Sequence, residues 1–465
     1  MTTRTTAPPV RTTRHGWPAA FVLAGAMFLV LFDSLAVATA LPAIGAEFGI
    51  GPARLQWVIT LYSLTIGGFL VLGGRLCDLA GRRRLIVGSL VLTGVGLLSA
   101  GVAPSLVVLL TGRVLQGLGA AFAIPATLAA AGTLFPDEPW RSRVFAIVAA
   151  AANTAGMAGA VGGGLITSYL GWRWVFLVVP VAAVAAVAAL LALPADERPD
   201  GRRERLDLVG AVLVTGGLIT LIYGASTIGE HGPRASAVVP TVVGLLMVTA
   251  FVGWERRVPW PLVKASVVRS RRLIGSCVAF AAHSAAYAAV VVIGSLQLQD
   301  IYGLSAAQAG LVMAPVLLGA LASAALASSL VRRYGARRVV AWALLLGAAA
   351  LAVVALRSGG PLGTLVVWLA VWGLTAGPIY VGLTRECVGD AAPEDRGMAS
   401  ALFESTTHVG GAVSIAVYLT MVGLGADYST TQLLGAGVAG LAVVTTLAIM
   451  PGRATGRRRG RPESS

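Results

Sequence analysis

GRLCDLAGRRR, from Gly74 to Arg84, separates two apolar runs, 53–74 and 85–103, each long enough to cross a bilayer. Gly74 and Gly81 let backbone pass close to neighbouring helices, and Asp78 can sit against the positive N-terminus of a helix. Arg82, Arg83 and Arg84 belong at the cytoplasmic surface. A charge-dense, glycine-punctuated loop in this setting reads as a hinge between membrane helices, with Gly74, Asp78, Gly81, Arg82 and Arg83 serving a cytoplasmic gate.

The rest of the composition agrees with a membrane chain. Of 465 residues, 57% are hydrophobic and 12% charged, and the mean hydropathy is +0.83; a soluble protein would carry roughly 25% charged residues. The net charge of +15 does not point to nucleic acid, because the basic residues stand in short clusters between apolar runs, as topology signals do. Cys77, Cys277 and Cys387 lack metal-type spacing and are expected as free thiols. No phosphate-binding G-x-x-x-x-G-K-[ST], no H-E-x-x-H and no G-x-S-x-G on a soluble strand-turn-helix is present. No enzyme, cofactor or metal site is expected, and an ion gradient is left as the energy source.

Fourteen spans are predicted, near 18–41, 53–74, 85–103, 106–134, 142–169, 173–194, 207–228, 236–254, 272–295, 306–330, 338–357, 361–387, 396–422 and 432–450. With both termini cytoplasmic, only Arg54, Arg173, Arg234 and Arg357 fall on the outer side, and Arg113 lies within a helix. Every other basic residue is then inside, which favours an even number of spans. The chain repeats itself weakly: SLVRRYGARR, Ser329 to Arg338, echoes LCDLAGRRR with Leu330 for Leu76, Gly335 for Gly81 and Arg332 where Asp78 stood. An all-α membrane fold of two six-helix bundles follows, 1–194 and 272–465, with two inserted helices and their linkers in 195–271. The segment from Glu255 to Arg272, with Pro259, Trp260 and Pro261, reads as interfacial, and the basic tail Arg453 to Arg461 as a topology signal or a contact for anionic lipid.

Several motifs resemble those of the major facilitator superfamily, and in particular its fourteen-helix drug:proton antiporters of the QacA/EmrB type. GRLCDLAGRRR is similar to the signature between their second and third helices, with Leu79 in place of an arginine. Leu31-Phe32-Asp33 with Pro42 resembles the first-helix motif, although Leu35 and Ala38 replace its threonine and asparagine. Arg113, Gln116, Gly117 and Gly119 match R-x-x-Q-G-x-G, and Gly159 to Gly164 resembles the exporter motif of helix 5, with Ala160 in place of its proline. Gly171-Trp172-Arg173-Trp174-Val175-Phe176 with Pro180, Leu206-Asp207 with Gly210, Tyr223 to Ser226, and Asp395-Arg396-Gly397 resemble further stations of that family. The resemblance implies that Gly159, Gly163 and Gly164 seal one half against the other when the cavity faces inward. It also implies that an acid in helix 13 commonly belongs to the machinery.

Ionisable residues within a membrane are costly and mark candidate sites. Asp33 and Arg113 fall at similar depths on helices 1 and 4, where Arg113 would hold Asp33 ionised until a cation or proton competes; a static packing pair is the alternative. Glu404 and His408, one turn apart on helix 13, suit proton handling, against inter-helix bonding for the first and a core histidine for the second. His283 and Tyr287, one turn apart on helix 9, fit cavity lining and packing equally. Arg385 and Glu386 suit a gate or helix-end neutralisation, and Trp57, Trp368 and Trp372 suit interface anchors or core. The expected function is proton-coupled efflux of lipophilic, in part cationic, drugs or antibiotics by a monomer in a bacterial inner membrane; the 34:1 style excess of arginine over the single Lys264 fits a high-GC bacterial genome. Its partners would be a small lipophilic substrate, protons and membrane lipids, with no nucleic acid. Proton-coupled uptake of a metabolite and a non-transporting sensor or partner protein are the rival expectations.

Overall fold

The structure, a computed structural model, describes residues 16–135, 138–192, 207–231, 234–264, 269–389 and 396–449. The N-terminal arginines, the linker 194–205, Asp395 and the basic tail lie outside the described residues. Fourteen long helices and no strands are present among the described residues. They are α1 (Gly16–Phe48), α2 (Pro52–Ala80), α3 (Arg82–Gly101), α4 (Leu106–Leu134), α5 (Glu138–Tyr169), α6 (Arg173–Ala192), α7 (Leu208–His231), α8 (Ala235–Glu255), α9 (Arg271–Asp300, with a π-helical turn at Ala289–Ile293), α10 (Ala306–Tyr334), α11 (Ala336–Leu356), α12 (Leu362–Gly389), α13 (Arg396–Gly423) and α14 (Tyr428–Ile449). Twelve are long and apolar enough to cross a membrane; α7 is apolar over Leu208–Gly224, and α5 packs lengthwise on α1 and α10. In a bilayer each backbone polar group must be satisfied within its own segment, and helices do this.

The internal repeat is much stronger in three dimensions than in sequence. The pairs α1–α5, α2–α4, α3–α4, α3–α6, α1–α6 and α1–α4 each recur eight helices later, as α9–α13, α10–α12, α11–α12, α11–α14, α9–α14 and α9–α12. The two halves meet along α2–α13 and α5–α10, which exchange places under the same relation. The hairpin α7–α8 lies at the α2–α13 seam, where α7 touches both helices.

The opening stretch is more helical than its composition predicts. Residues Gly74 to Ala80 continue α2, and Gly81 alone breaks the chain, at φ 83°, ψ 141°. Gly335 does the same in the second half, at φ 85°, ψ 147°. Two residues after each glycine an arginine reaches the end of a neighbouring helix. Arg83 donates through Nε to Leu190 O at 3.0 Å and through Nη2 to Leu191 O, and Arg337 donates to Leu447 O. Both arginines satisfy carbonyls that a helix C-terminus leaves open, so the bonds seen for Arg83 lie within its own half. The close approach expected of Gly74 belongs to its neighbour: no atom stands within 4 Å of a Cβ built on Gly74, whereas one on Gly73 would lie 2.3 Å from Ala121 O. The side chain of Asp78 lies outside the described residues. Gly81→Ala and Gly335→Ala are each expected to cost about 1–3 kcal/mol, because their backbone region is open essentially to glycine alone. Gly74→Ala, in an open helical position, should be neutral or slightly stabilising; thermal unfolding of the purified protein separates the three.

The apolar cores divide the molecule into two ends. Toward the arginine-poor end one cluster crosses both halves, joining Leu41, Ile44 and Val58 to Val290, Met313 and Trp372. Toward the arginine-rich end each half has its own cluster, around Ile86 and Phe135 in the first and around Leu344 and Phe403 in the second. The α5–α10 contacts agree: Ser168 Oγ accepts the N–H of Ala307 near the arginine-poor end, and the deepest glycine contact is Gly310 against Ala160 O. The halves are therefore closed together at the arginine-poor end.

Candidate functional site

In the first half, α1 and α4 bring Asp33 and Arg113 together, both without solvent exposure. Arg113 donates through Nη1 to Asp33 Oδ2 and to Gln116 Oε1, and through Nε to Val58 O at 2.7 Å. Gln116 Nε2 donates to Asp33 Oδ2 at 2.8 Å, and the guanidinium carbon sits 4.3 Å from the centre of the Tyr62 ring. Residues 113 and 116 share a face because three positions are nearly one helical turn. Expected as a coupling pair or as a static packing pair, it is sealed inside the half. Asp33 Oδ1 and Arg113 Nη2 have no hydrogen-bond partner among the described residues. Such a network is held by charge and geometry, and the two unused atoms leave it able to take a different arrangement.

The second half carries its acid on α13, partly buried. Glu404 of α13 accepts a 2.9 Å hydrogen bond from the hydroxyl of Tyr380 on α12, a residue 46% exposed although it stands mid-bundle. Beside this pair runs a column of nearly parallel rings. Phe403 stacks on Phe280 at 4.3 Å between centroids and 3°, Phe280 on His283 at 6.2 Å and 10°, and His283 on Trp372 at 5.4 Å and 7°. Tyr287 leans on Trp372 at 5.8 Å. The structure thus gathers Glu404, His283 and Tyr287, from different helices, into one wall.

His408 does not join Glu404. It shares that residue's face of α13 but faces α2, where a Cβ on Gly67 would lie 3.3 Å from its Cβ, and no hydrogen bond between Glu404 and His408 is formed among the described residues. One-turn spacing permits such a pair, but a donor from another helix reaches the carboxylate first. Tyr380 was missed by sequence reading; its only signal was a polar group two residues past Pro378 in an apolar helix. Trp372 is core, 1% exposed, and Glu386 sits 3.9 Å from Arg272 as a helix-end ion pair.

The helix 5 glycines split between two partners. Cβ atoms on Gly159 and Gly163 would lie 2.1 Å from Phe32 O and 2.5 Å from Ala36 Cα on α1, while one on Gly164 would lie 2.3 Å from Ala306 O across the seam. Membrane helices lack a hydrophobic force between them, so close backbone approach supplies their attraction. At the arginine-poor end a cavity of about 360 Å³ is lined by Leu41, Leu55, Leu296 and Leu419, with Tyr428 donating to Asp300.

The likeness to known proteins extends over almost the whole chain. A family model described as the Major Facilitator Superfamily matches residues 23–275 and 275–465. The cephamycin export protein of Amycolatopsis lactamdurans is 36% identical over 423 residues, covering 88% of this chain and 85% of that protein. The puromycin resistance protein of Streptomyces alboniger is 34% identical, covering 88% and 82%. Among solved structures, a POT family transporter in complex with 5-aminolevulinic acid matches with a TM-score of 0.71 at 13% identity, covering 95% of this chain and 97% of that one.

Proposed function

This chain belongs to the major facilitator superfamily, and from that premise we propose that it is a proton-coupled exporter of lipophilic, in part cationic, antibiotics or drugs. The observation that carries this reading is Glu404 beside Tyr380: a carboxyl placed mid-bundle where substrate and proton compete for one negative charge. The names of the relatives, an export protein and a resistance protein, support the direction. The arginine-rich end is assigned to the cytoplasm of a bacterial inner membrane, with both termini inside and the chain working as a monomer among lipids. Residues 1–194 and 272–465 rock against each other, and 195–271 rides at one seam. Substrate enters beside Tyr380 and Tyr287, which edge the aromatic column that buries His283, with Glu404 as its counter-charge and His408 at the α2 boundary. The sealed Asp33–Arg113 pair is the second charged element of the coupling machinery, with Arg113 holding Asp33 against a competing cation. Gly74, Asp78, Gly81, Arg82 and Arg83 form the cytoplasmic gate; at the opposite end Gly164 forms the seal against the second half, and Gly159 and Gly163 hold α5 on α1 behind it.

The test is accumulation of a fluorescent lipophilic dye in inside-out vesicles energised by a proton gradient. Wild-type vesicles should accumulate it, an uncoupler should abolish the accumulation, and Glu404→Gln should reduce it at least about tenfold, a loss of roughly 1.4 kcal/mol. Dye movement in the opposite direction would replace export with uptake. Full accumulation by Glu404→Gln would remove Glu404 from the site.

A further inference from the structure

The motif that opens α7 takes no part in the function proposed above, yet it builds an unusual cluster. Asp207 stands immediately before α7 and is 5% exposed. Its Oδ1 accepts the N–H of Gly210 at 2.8 Å and the indole N–H of Trp254 at 2.9 Å. Its Oδ2 is buried without a hydrogen-bond partner among the described residues. Glu255, which ends α8, points at the same place: a Cβ on Gly210 would lie 2.4 Å from Asp207 Oδ2 and 3.0 Å from Glu255 Oε1. Oxygens of the two carboxyl side chains thus converge on one point beside Gly210. Glu255 Oε1 and Oε2 also accept the N–H groups of Leu262 and Val263, at 3.0 and 3.1 Å. These bonds fold residues 256–264 back as a strap across the arginine-rich end of the seam.

The strap is fixed at three further points. Arg75 of α2 donates to Trp260 O at 3.3 Å and to Pro261 O. Leu262 is 3% exposed in a cluster with Val71, Leu72 and Ala211. The N–H of Lys264 points at Met398 Sδ of α13 at 3.2 Å. The strap therefore joins the inserted hairpin to both halves.

Two carboxylates cannot hydrogen-bond each other, because neither donates. No ion pair compensates either carboxyl among the described residues. The charged groups nearby are Arg75 on α2, engaged by strap carbonyls, and Arg256, Arg257 and Lys264 on the strap, all three exposed. Among the described side chains at this end, α13 offers the uncharged Met398 and Ala401. A metal ion does not suit the site, since three of the four carboxyl oxygens already accept N–H donors. A single proton does suit it. We propose that Asp207 and Glu255 share one proton, forming a proton-binding site apart from the central cleft, and that this proton keeps residues 256–264 clasped across α2. When it passes to water at the arginine-rich surface, two adjacent carboxylates repel and Glu255 turns outward. Leu262 and Val263 lose their acceptors, and the strap leaves the seam.

The experiment uses the full chain in nanodiscs, with Cys77, Cys277 and Cys387 replaced by serine. Leu262→Cys and Pro259→Cys are introduced one at a time, and their alkylation rates are measured from about pH 5 to 9, the range that brackets a shared carboxyl proton. Pro259 is exposed in the clasped strap, so the ratio of the two rates removes the ionisation of the thiol itself. The ratio should rise with pH, by up to tenfold per unit for one proton. It should stay flat and low in Asp207→Asn, where the amide N–H permanently takes the proton's place and Oδ1 can still accept from Gly210 and Trp254. Where the Leu262→Cys chain does not fold, hydrogen exchange of the 256–264 peptide in the wild type, corrected for its intrinsic pH dependence, reads the same release. A flat ratio with the native pair, or an equal rise in Asp207→Asn, overturns the proposal. Dye transport plays no part in this readout, so its result is independent of the exporter assignment.

Discussion

Arg113→Met is expected to destabilise the protein by about 3–5 kcal/mol, because it strands the carboxylate of Asp33 in a site with no solvent. Methionine replaces only the aliphatic part of the side chain, so the loss combines the charge, the bonds to Asp33, Gln116 and Val58 O, and the void where the guanidinium stood. Asp33→Asn should be milder. Arg113 would keep Gln116, the Val58 carbonyl and the face of Tyr62, and the new amide oxygen still accepts. The double variant Asp33→Asn/Arg113→Met should recover most of the loss, since it removes both buried charges together. The fraction of protein that remains monodisperse after heating measures all three. A stable Arg113→Met chain would mean that the ion pair is not what holds α1 and α4 together.

Gly164→Val and Gly310→Val are expected to unlock the arginine-poor end. Each glycine meets a carbonyl oxygen of the opposite helix: Gly164 faces Ala306 O at 2.3 Å and Gly310 faces Ala160 O at 2.4 Å, measured from a built Cβ. No side-chain rotation relieves a clash with backbone, so α5 and α10 must separate. Overpacking of this kind costs about 1–3 kcal/mol, which shifts a two-state equilibrium some five- to 150-fold toward the open arrangement. The effect is read at Ser295→Cys, because Ser295 is 1% exposed and reaches across the halves to Ala38 O. Its labelling from the arginine-poor side should rise by that factor while the protein stays folded. Gly162→Ala, from the same glycine run, faces only the Phe32 ring at 3.7 Å and should leave labelling unchanged. Equal labelling in all three variants would mean that the α5–α10 seam is not the closure.

The glycine run shows how far a motif can be read alone. Its small-residue spacing announced close helix contact, but the allocation of Gly159 and Gly163 to α1 and of Gly164 to α10 follows from the angle at which three helices cross. The same limit applied to GRLCDLAGRRR. A hinge was legible, yet its charged residues suggested a loop, and the chain keeps helical hydrogen bonds as far as Ala80 because only Gly81 adopts a positive φ there.

Sequence by itself determined that this is a polytopic helical membrane protein, where its spans lie, which ends gather arginine, and that its halves repeat. Those properties depend on composition along one dimension, namely apolar length against bilayer thickness and charge against the membrane surface. It also placed Asp33 and Arg113 at a common depth, because helical rise converts residue count into distance. Only the tertiary structure decided that Gln116 closes their network, that Tyr380 and not His408 holds Glu404, that His283 stacks between Phe280 and Trp372, and that Asp207 meets Glu255 beneath the strap. Periodicity fixes which residues share a face of one helix; the partner each face meets is set by how the helices rotate and pack against one another.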